Sequence, residues 1–317
     1  AMPKKAQEER LEDMTPCIAC LQGCVANMYA GNPVCCLTNP FLGHEAEPLE
    51  KAEEPKKVMV IGGGVAGLSA AFIAKERGHE VTLYEAGDVL GGNMRLAAYP
   101  PGKGDITNMI RSYIHRCQKD GVKIVMNCEV TPELIKEEKP DSVIIATGSK
   151  ILILPIEGID NPAIIHGSDL LDGKRAAGKK VLVVGGGMVG CETAAFLGEQ
   201  EHDVTVIEFR DTVGADVIHE HRVYLMKDFE DYGIKEITGA KVCKFYEDGV
   251  EYETADGVRH ESRGYDSVIL SMGFRNYNPL EEKIKDLVPE THVIGDAIRA
   301  RRALDATKEA YEVASRI

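Results

Sequence analysis

Val58-Met59-Val60-Ile61-Gly62-Gly63-Gly64-Val65-Ala66-Gly67 and Val181-Leu182-Val183-Val184-Gly185-Gly186-Gly187-Met188-Val189-Gly190 are two copies of one pattern. In each, an apolar run reads as a buried strand, and a glycine turn leads from it into a helix. Each copy is answered downstream by a carboxylate that closes a second apolar run: Glu85 in Thr82-Leu83-Tyr84-Glu85 and Glu208 in Val206-Ile207-Glu208. Gly185 follows Gly62, and Glu208 follows Glu85, at the same interval of 123 residues. A third match sets Asp141–Gly148 against Asp266–Gly273 at an interval of 125. One glycine fingerprint alone is weak. Two in register, each with its acidic partner at the expected distance, predict two dinucleotide sites in one chain.

Each glycine has a separate task. Gly62 and Gly185 permit the tight turn, Gly64 and Gly187 let a pyrophosphate approach the backbone, and Gly67 and Gly190 let the helix pack closely on its strand. Glu85 and Glu208 stand where a carboxylate accepts hydrogen bonds from a ribose diol. At the second site this favours an unphosphorylated 2′-hydroxyl, hence NADH over NADPH, although Arg210, two residues on, is placed to engage a 2′-phosphate.

At 317 residues the chain can bury two cores, and the duplication accounts for both. A net charge of −14 argues against nucleic acid as a partner. No polybasic run points to a membrane surface, and the two apolar stretches from Val58 and Val181 are broken by glycines in the fingerprint spacing rather than built to span a bilayer. The N-terminus is charged and has no secretory core, so the cytoplasm is the expected compartment. Ala1 ahead of Met2 reads as a cloning remnant.

Nine cysteines in a reducing compartment read as ligands or free thiols rather than disulfides. Cys17, Cys20 and Cys24 fall within eight residues, with Cys35 and Cys36 nearby. Such spacing can wrap four thiolates around a [4Fe–4S] cubane. Zinc, which usually comes with two more widely separated Cys-x-x-Cys pairs, and unliganded thiols are the alternatives. Cys117, Cys128, Cys191 and Cys243 are expected in helices or strands as small buried hydrophobes. No cysteine pair follows the first fingerprint, so a redox disulfide is not the expected acceptor for electrons leaving a flavin.

Along the chain, Ala6–Met14 predicts a short helix and Cys17 to about Gly43 a loop. Glu45–Lys57, with Pro48 and Pro55, predicts a surface linker. Helices are expected over 66–76 and 105–120, strands over 80–85, 122–126 and 142–146, and hairpins with Asp248-Gly249 and Asp256-Gly257 turns over 247–261. After Gly273 the chain should return to the first domain. The expected architecture is α/β: two Rossmann-like three-layer nucleotide-binding domains, the second inserted in the first, with an N-terminal cysteine-rich iron–sulfur segment. The expected bounds are 1–55 for that segment and linker, 56–155 plus 265–317 for an FAD domain, and 156–264 for an NAD(P)H domain.

Pro16-Cys17-Ile18-x-Cys20-x-x-Gly23-Cys24 and Cys36-x-x-Asn39-Pro40 occur together with Gly91-Gly92-Asn93, Pro101-Gly102-Lys103, Ala146-Thr147-Gly148 and Gly295-Asp296. With these motifs the whole chain resembles the C-terminal portion of the iron–sulfur flavoenzymes related to 2,4-dienoyl-CoA reductase, 2-enoate reductase and trimethylamine dehydrogenase. The resemblance implies that Cys17, Cys20, Cys24 and Cys36 ligate a [4Fe–4S] cluster, Cys36 being the one followed by x-x-Asn-Pro. It implies FAD on Gly62, Gly64, Gly67 and Glu85, with Gly92 and Asn93 near the flavin and Asp296 on the ribityl chain. NAD(P)H would sit on Gly185, Gly187, Gly190 and Glu208. Thr147 and Gly148, and Gly273 at the matching place in the second copy, complete the cofactor-binding set.

Glu192 falls at the family's position near the nicotinamide and is the candidate catalytic residue; the competing reading is a carboxylate favoured by the positive end of its helix. Reductases of this family carry an FMN-binding barrel ahead of the cysteine segment, and nothing here corresponds to it. The chain is therefore expected to be a truncated piece or a separately encoded subunit, with that barrel as partner and a homo-oligomer left open.

The function implied is electron input: hydride from NADH to FAD, then single electrons through the cluster to the FMN barrel, which reduces an enoate or an enoyl- or dienoyl-CoA. A stand-alone NAD(P)H:ferredoxin-type oxidoreductase and a non-catalytic nucleotide-binding domain are the rival readings.

Overall fold

The structure is a computed structural model that describes residues 2–47 and 49–317. The expected remnant Ala1 and the linker residue Pro48 lie outside the described residues. The chain divides into two compact units. The first comprises Ala1–Ala98, Asp105–Lys150 and Arg275–Ile317, and the second comprises Tyr99–Gly104 and Ile151–Phe274. The second unit is thus inserted into the sequence of the first.

The first unit is built on a five-stranded sheet in the order Glu290–Val293, Ser142–Ile145, Lys57–Ile61, Glu80–Tyr84, Lys123–Val125, with every neighbouring pair parallel. Val58 and Val60 join one core with Leu68, Phe72 and Ile73 of the helix Val65–Glu76, while Met59 and Ile61 join another with Ile135 and Ile284. Alternate side chains of the same strand therefore bury on opposite faces. That is why the strand reads as an unbroken apolar run rather than an alternating one.

The second unit repeats the plan. Its parallel sheet runs Ile165–His166, Ser267–Leu270, Lys180–Val184, Asp203–Ile207, Lys235–Ile237. Val181 and Val183 pack with Cys191, Ala194 and Phe229, and Leu182 and Val184 pack with Val242, Phe245 and Val250. The latter face is covered by an antiparallel ribbon, Lys241–Tyr246, Gly249–Glu253 and Arg259–Arg263; the second hairpin turns through the expected Asp256-Gly257, whereas the first turns at Glu247-Asp248, one residue earlier than expected, with Gly249 already in the strand. The bound at 265 falls too early. Ser267–Leu270 pairs with Lys180–Val184 in the second sheet, as its repeat of Ser142–Ile145 requires, and the chain returns to the first unit between 274 and 275.

The N-terminal region packs on the first unit. Leu37 is fully buried and Ile18 nearly so in the core that holds Phe72 and Tyr113; covering a leucine in this way contributes about 2 kcal/mol. Tyr113 Oη donates to the Leu37 carbonyl at 2.9 Å. Phe41 stacks on Phe72, and the Arg116 guanidinium lies over both rings, 4.7 and 4.2 Å from their centres. Asp13 gathers Arg10, His115 and Lys119, which together hold its carboxyl far below the usual range, Lys119 and His115 first.

Several local expectations change. The first helix is Met2–Gln7, and only a 3-10 turn at Leu11–Asp13 follows, so no helix spans 6–14. The cysteine segment contains a short helix, Val25–Tyr29. Cys117 and Cys191 are buried, but Cys128 and Cys243 are only half-buried, and Cys128 lies outside any helix or strand.

Candidate functional site

Both glycine turns lie at the carboxyl ends of parallel strands, the edge of an open α/β sheet where ligands bind. The protein's own packing demands some of their glycines and not others. A Cβ at Gly67 would collide with the Gly62 carbonyl oxygen, and one at Gly190 with that of Gly185. A Cβ at Gly64, by contrast, would meet nothing within 4 Å. Packing leaves that glycine unexplained, and a ligand lying against the backbone there would explain it.

The two carboxylates do more than was expected of them. Glu85 Oε2 accepts from Gly63 N and Oε1 from Gly87 N, both at 2.7 Å. Glu208 Oε2 accepts from Gly186 N at 2.6 Å and Oε1 from Arg210 N at 2.9 Å. Each therefore pins its glycine turn to the end of the neighbouring strand, while every carboxylate oxygen keeps a lone pair for a ribose hydroxyl. The pattern continues one step further, since Gly91 N donates to Gly63 O at 2.8 Å and Gly214 N to Gly186 O at 2.7 Å.

In the first unit the turn is joined by five other expected residues. Asn93 Nδ2 donates to Ser149 Oγ at 3.3 Å, and Ser149 Oγ donates to Asp296 Oδ2 at 2.9 Å. Asp296 Oδ1 accepts from Arg301 N at 3.1 Å. Thr147 Oγ1 donates to the Tyr277 carbonyl, and Tyr277 N returns a bond to Gly148 O, fixing Gly148 in a left-handed conformation with φ of 76°. Gly92, also left-handed, lies against the Cα of Gly64. Asn93, Asp296 and the 147–148 corner thus surround one place. Ser149, which links two of them, was not singled out in the sequence, although it directly follows the Ala146-Thr147-Gly148 motif.

In the second unit a cavity of about 320 Å³ opens at the glycine turn, lined by Gly185, Gly187, Glu208, Arg210, Asp216 and Gly273 among others. Phe209, 69 % exposed, also lines it. Asp216 Oδ1 accepts from Met188 N, the first amide of the helix Met188–Glu199, at 2.8 Å. Glu192, on the same helix, is 7 % exposed and forms an ion pair with Lys103. Burial pushes its carboxyl up, and the Lys103 charge opposes the shift. Lys103 arrives on Tyr99–Gly104, a segment interrupting the first unit's sequence yet belonging to the second unit.

The cysteines form a third group. Burial pushes the Cys20 thiol up, and Cys36, Cys24 and Cys17 add to the shift, so all three lie within electrostatic reach of it. Ala19 and Leu21, on either side of Cys20, both have positive φ and turn the loop sharply. Cys35 Sγ accepts from Asn27 Nδ2 at 3.4 Å. Among the described residues, no three His, Cys, Asp or Glu side chains are gathered closely enough to share one metal ion. A cavity of about 820 Å³ in the first unit reaches Cys17 and Cys36. Among the described residues, no helix is long and apolar enough to cross a membrane.

Comparison with known proteins places this geometry in context. Residues 56–294 match the pyridine nucleotide-disulphide oxidoreductase family. The chain is 34% identical over 320 residues to cinnamate reductase of Clostridium sporogenes, covering 100% of this chain and 48% of that protein. It is 34% identical over 324 residues to NADH oxidase of Thermoanaerobacter brockii, covering 99% and 50% respectively. The solved structure of a 2-naphthoyl-CoA reductase superposes with a TM-score of 0.94 at 33% identity, covering 100% of this chain and 48% of that one. The chain spans about half the length of the curated relatives it matches.

Proposed function

The chain belongs to the pyridine nucleotide-disulphide oxidoreductase family and is an NAD(P)H-dependent flavoprotein oxidoreductase, and from that premise we propose that it is the electron-input half of an iron–sulfur flavoprotein reductase. Its resemblance to the FAD- and NAD(P)H-binding portion of the enoate-reductase type is matched by the relatives found. In this reading the bound groups supply hydride transfer from NADH to FAD and onward one-electron transfer through a [4Fe–4S] cluster to an FMN-binding barrel that reduces an enoate or enoyl thioester.

The residues divide as follows. Gly62, Gly64 and Gly67 shape the first phosphate turn, Glu85 holds that turn and faces the ribose, and Asn93, Thr147, Gly148, Ser149 and Asp296 line the place of the flavin and its ribityl chain. Gly185, Gly187, Gly190 and Glu208 do the same for NADH, with Gly273 at the mouth of that cavity. Glu192, kept from solvent and paired with Lys103, holds charge and orientation near the nicotinamide. Cys17, Cys20, Cys24 and Cys36 hold the cluster.

The observation that carries this reading is the repetition of one pinned glycine turn in both units, with the thiols Cys17, Cys20, Cys24 and Cys36 carried on the first. Its test is composition. Anaerobically reconstituted protein should hold about one FAD and about four irons with matching sulfide. Cys36→Ser should lose iron and sulfide while keeping FAD, and Cys35→Ser should keep both. Stoichiometric zinc without labile sulfide, or equal iron loss in the two variants, contradicts the cluster assignment.

A further inference from the structure

The repeat extends beyond the glycines and carboxylates. Asp216 stands 123 residues after Asn93, the same interval that separates Gly62 from Gly185 and Glu85 from Glu208. The structure keeps this register, because the bonds from Gly91 to Gly63 and from Gly214 to Gly186 are equivalent. At this matched place the two units differ in charge.

Asn93 turns to Ser149. Asp216 instead caps its helix: Oδ1 takes the Met188 amide proton at 2.8 Å, and Oδ2 lies 3.5 Å from where a Gly187 Cβ would be. Its carboxylate therefore sits over the second glycine and on the helix N-terminus, the two features that receive a dinucleotide's pyrophosphate. In the first unit the space over Gly64 is open.

We propose that Asp216 makes the second nucleotide site an exchangeable one: its carboxylate stands in for the pyrophosphate, so NAD(P)H must displace or repel it, whereas neutral Asn93 leaves the first site open to a resident FAD. This deepens the functional reading above and rests on it. An anion already on the helix N-terminus uses the same amide donors and positive end that would attract the phosphates, and its charge opposes theirs. A turnover substrate benefits from this, because the oxidised nucleotide must leave. A prosthetic group does not.

The test is equilibrium binding of NAD⁺ to the FAD-loaded full chain by calorimetry, a readout that needs no turnover. Asp216→Asn should bind NAD⁺ about three- to thirty-fold more tightly than the parent. Asp216→Ala should move the same way, which separates loss of charge from gain of an amide. Asn93→Asp should retain less FAD through gel filtration, an independent arm within the first unit. Unchanged or weaker NAD⁺ binding in both Asp216 variants, with parental flavin content, overturns the proposal. Tight binding by the variants alone supports it in its strongest form. Failure of parent and variants alike to bind NAD⁺ or NADP⁺ would instead refute the assignment of the second unit as the nicotinamide site.

Discussion

The two glycine turns share a backbone and differ in what surrounds it. Both are pinned by a carboxylate through a glycine amide, at 2.7 Å for Glu85 and 2.6 Å for Glu208, and both need a glycine where helix meets strand. Around this common scaffold the first unit sets Asn93 and Ser149, the latter bonded to the Asp296 carboxylate, and the small Ala86-Gly87 pair. The second sets Asp216, the exposed Phe209 and Arg210, and it buries Glu192 at the place where the first helix has Ser69. The shared part carries the fold, and in our proposal the differing part carries the division between a cofactor that stays and one that turns over.

The largest effect should come from the shared part. Gly67→Ala and Gly190→Ala each force a methyl group into a carbonyl oxygen and should destabilise their own unit by about 3 kcal/mol or more, by analogy with overpacked cores. Thermal unfolding followed by circular dichroism reads this, and the first variant should also lose FAD. Gly64→Ala meets no protein atom. It should leave the melting temperature within a few degrees of the parent while lowering bound FAD, because only the ligand's approach is obstructed. Equal destabilisation by Gly64→Ala and Gly67→Ala would break the distinction between glycines that serve packing and those that serve a ligand.

A smaller effect belongs to the buried carboxyl of the second unit. Burial raises the Glu192 carboxyl above its ordinary value, so the folded chain holds this proton more tightly than the unfolded chain. Stability should therefore fall as pH rises from the unfolded carboxyl range through the raised folded value, with the full penalty present above it. Lys103 offsets part of that penalty. Lys103→Met should destabilise the chain by about 1–3 kcal/mol at pH 8 and by clearly less at pH 5, where Glu192 is closer to neutral. A loss independent of pH would mean that Lys103 acts through packing instead.

Much of this comparison was legible in the sequence because it is local. Gly62, Gly64 and Gly67 and their copies recur at fixed intervals, the apolar runs 58–61 and 181–184 are continuous because both sheet faces are covered, and Asp256-Gly257 marks its turn directly. What escaped depends on distant parts of the chain. Lys103 lies on Tyr99–Gly104, which has no periodicity to announce that it packs with residues past 151. Ser149 gains its role only when Asn93 and Asp296 converge on it. The ties from Glu85 to Gly63 and from Glu208 to Gly186 were hidden behind a more obvious use for a carboxylate, the ribose. Asp216 was within reach, since the 123-residue interval extends to it from Asn93, but a charge change in a loop carries no pattern of its own. The bound at 265 failed because the match of Ser267–Leu270 to Ser142–Ile145 was not carried through to the strand's place in the second sheet.

The central claim is that one chain holds a resident flavin in its first unit and receives reducing equivalents from a nicotinamide dinucleotide in its second. Anaerobic titration of the FAD-loaded chain with NADH, followed by flavin absorbance and without any barrel partner or organic substrate, tests it most directly. The account predicts that the flavin bleaches on adding about one equivalent of NADH, since hydride transfer requires only the two nucleotides held in reach of each other. A chain that holds FAD yet shows no bleaching with NADH or NADPH would contradict it.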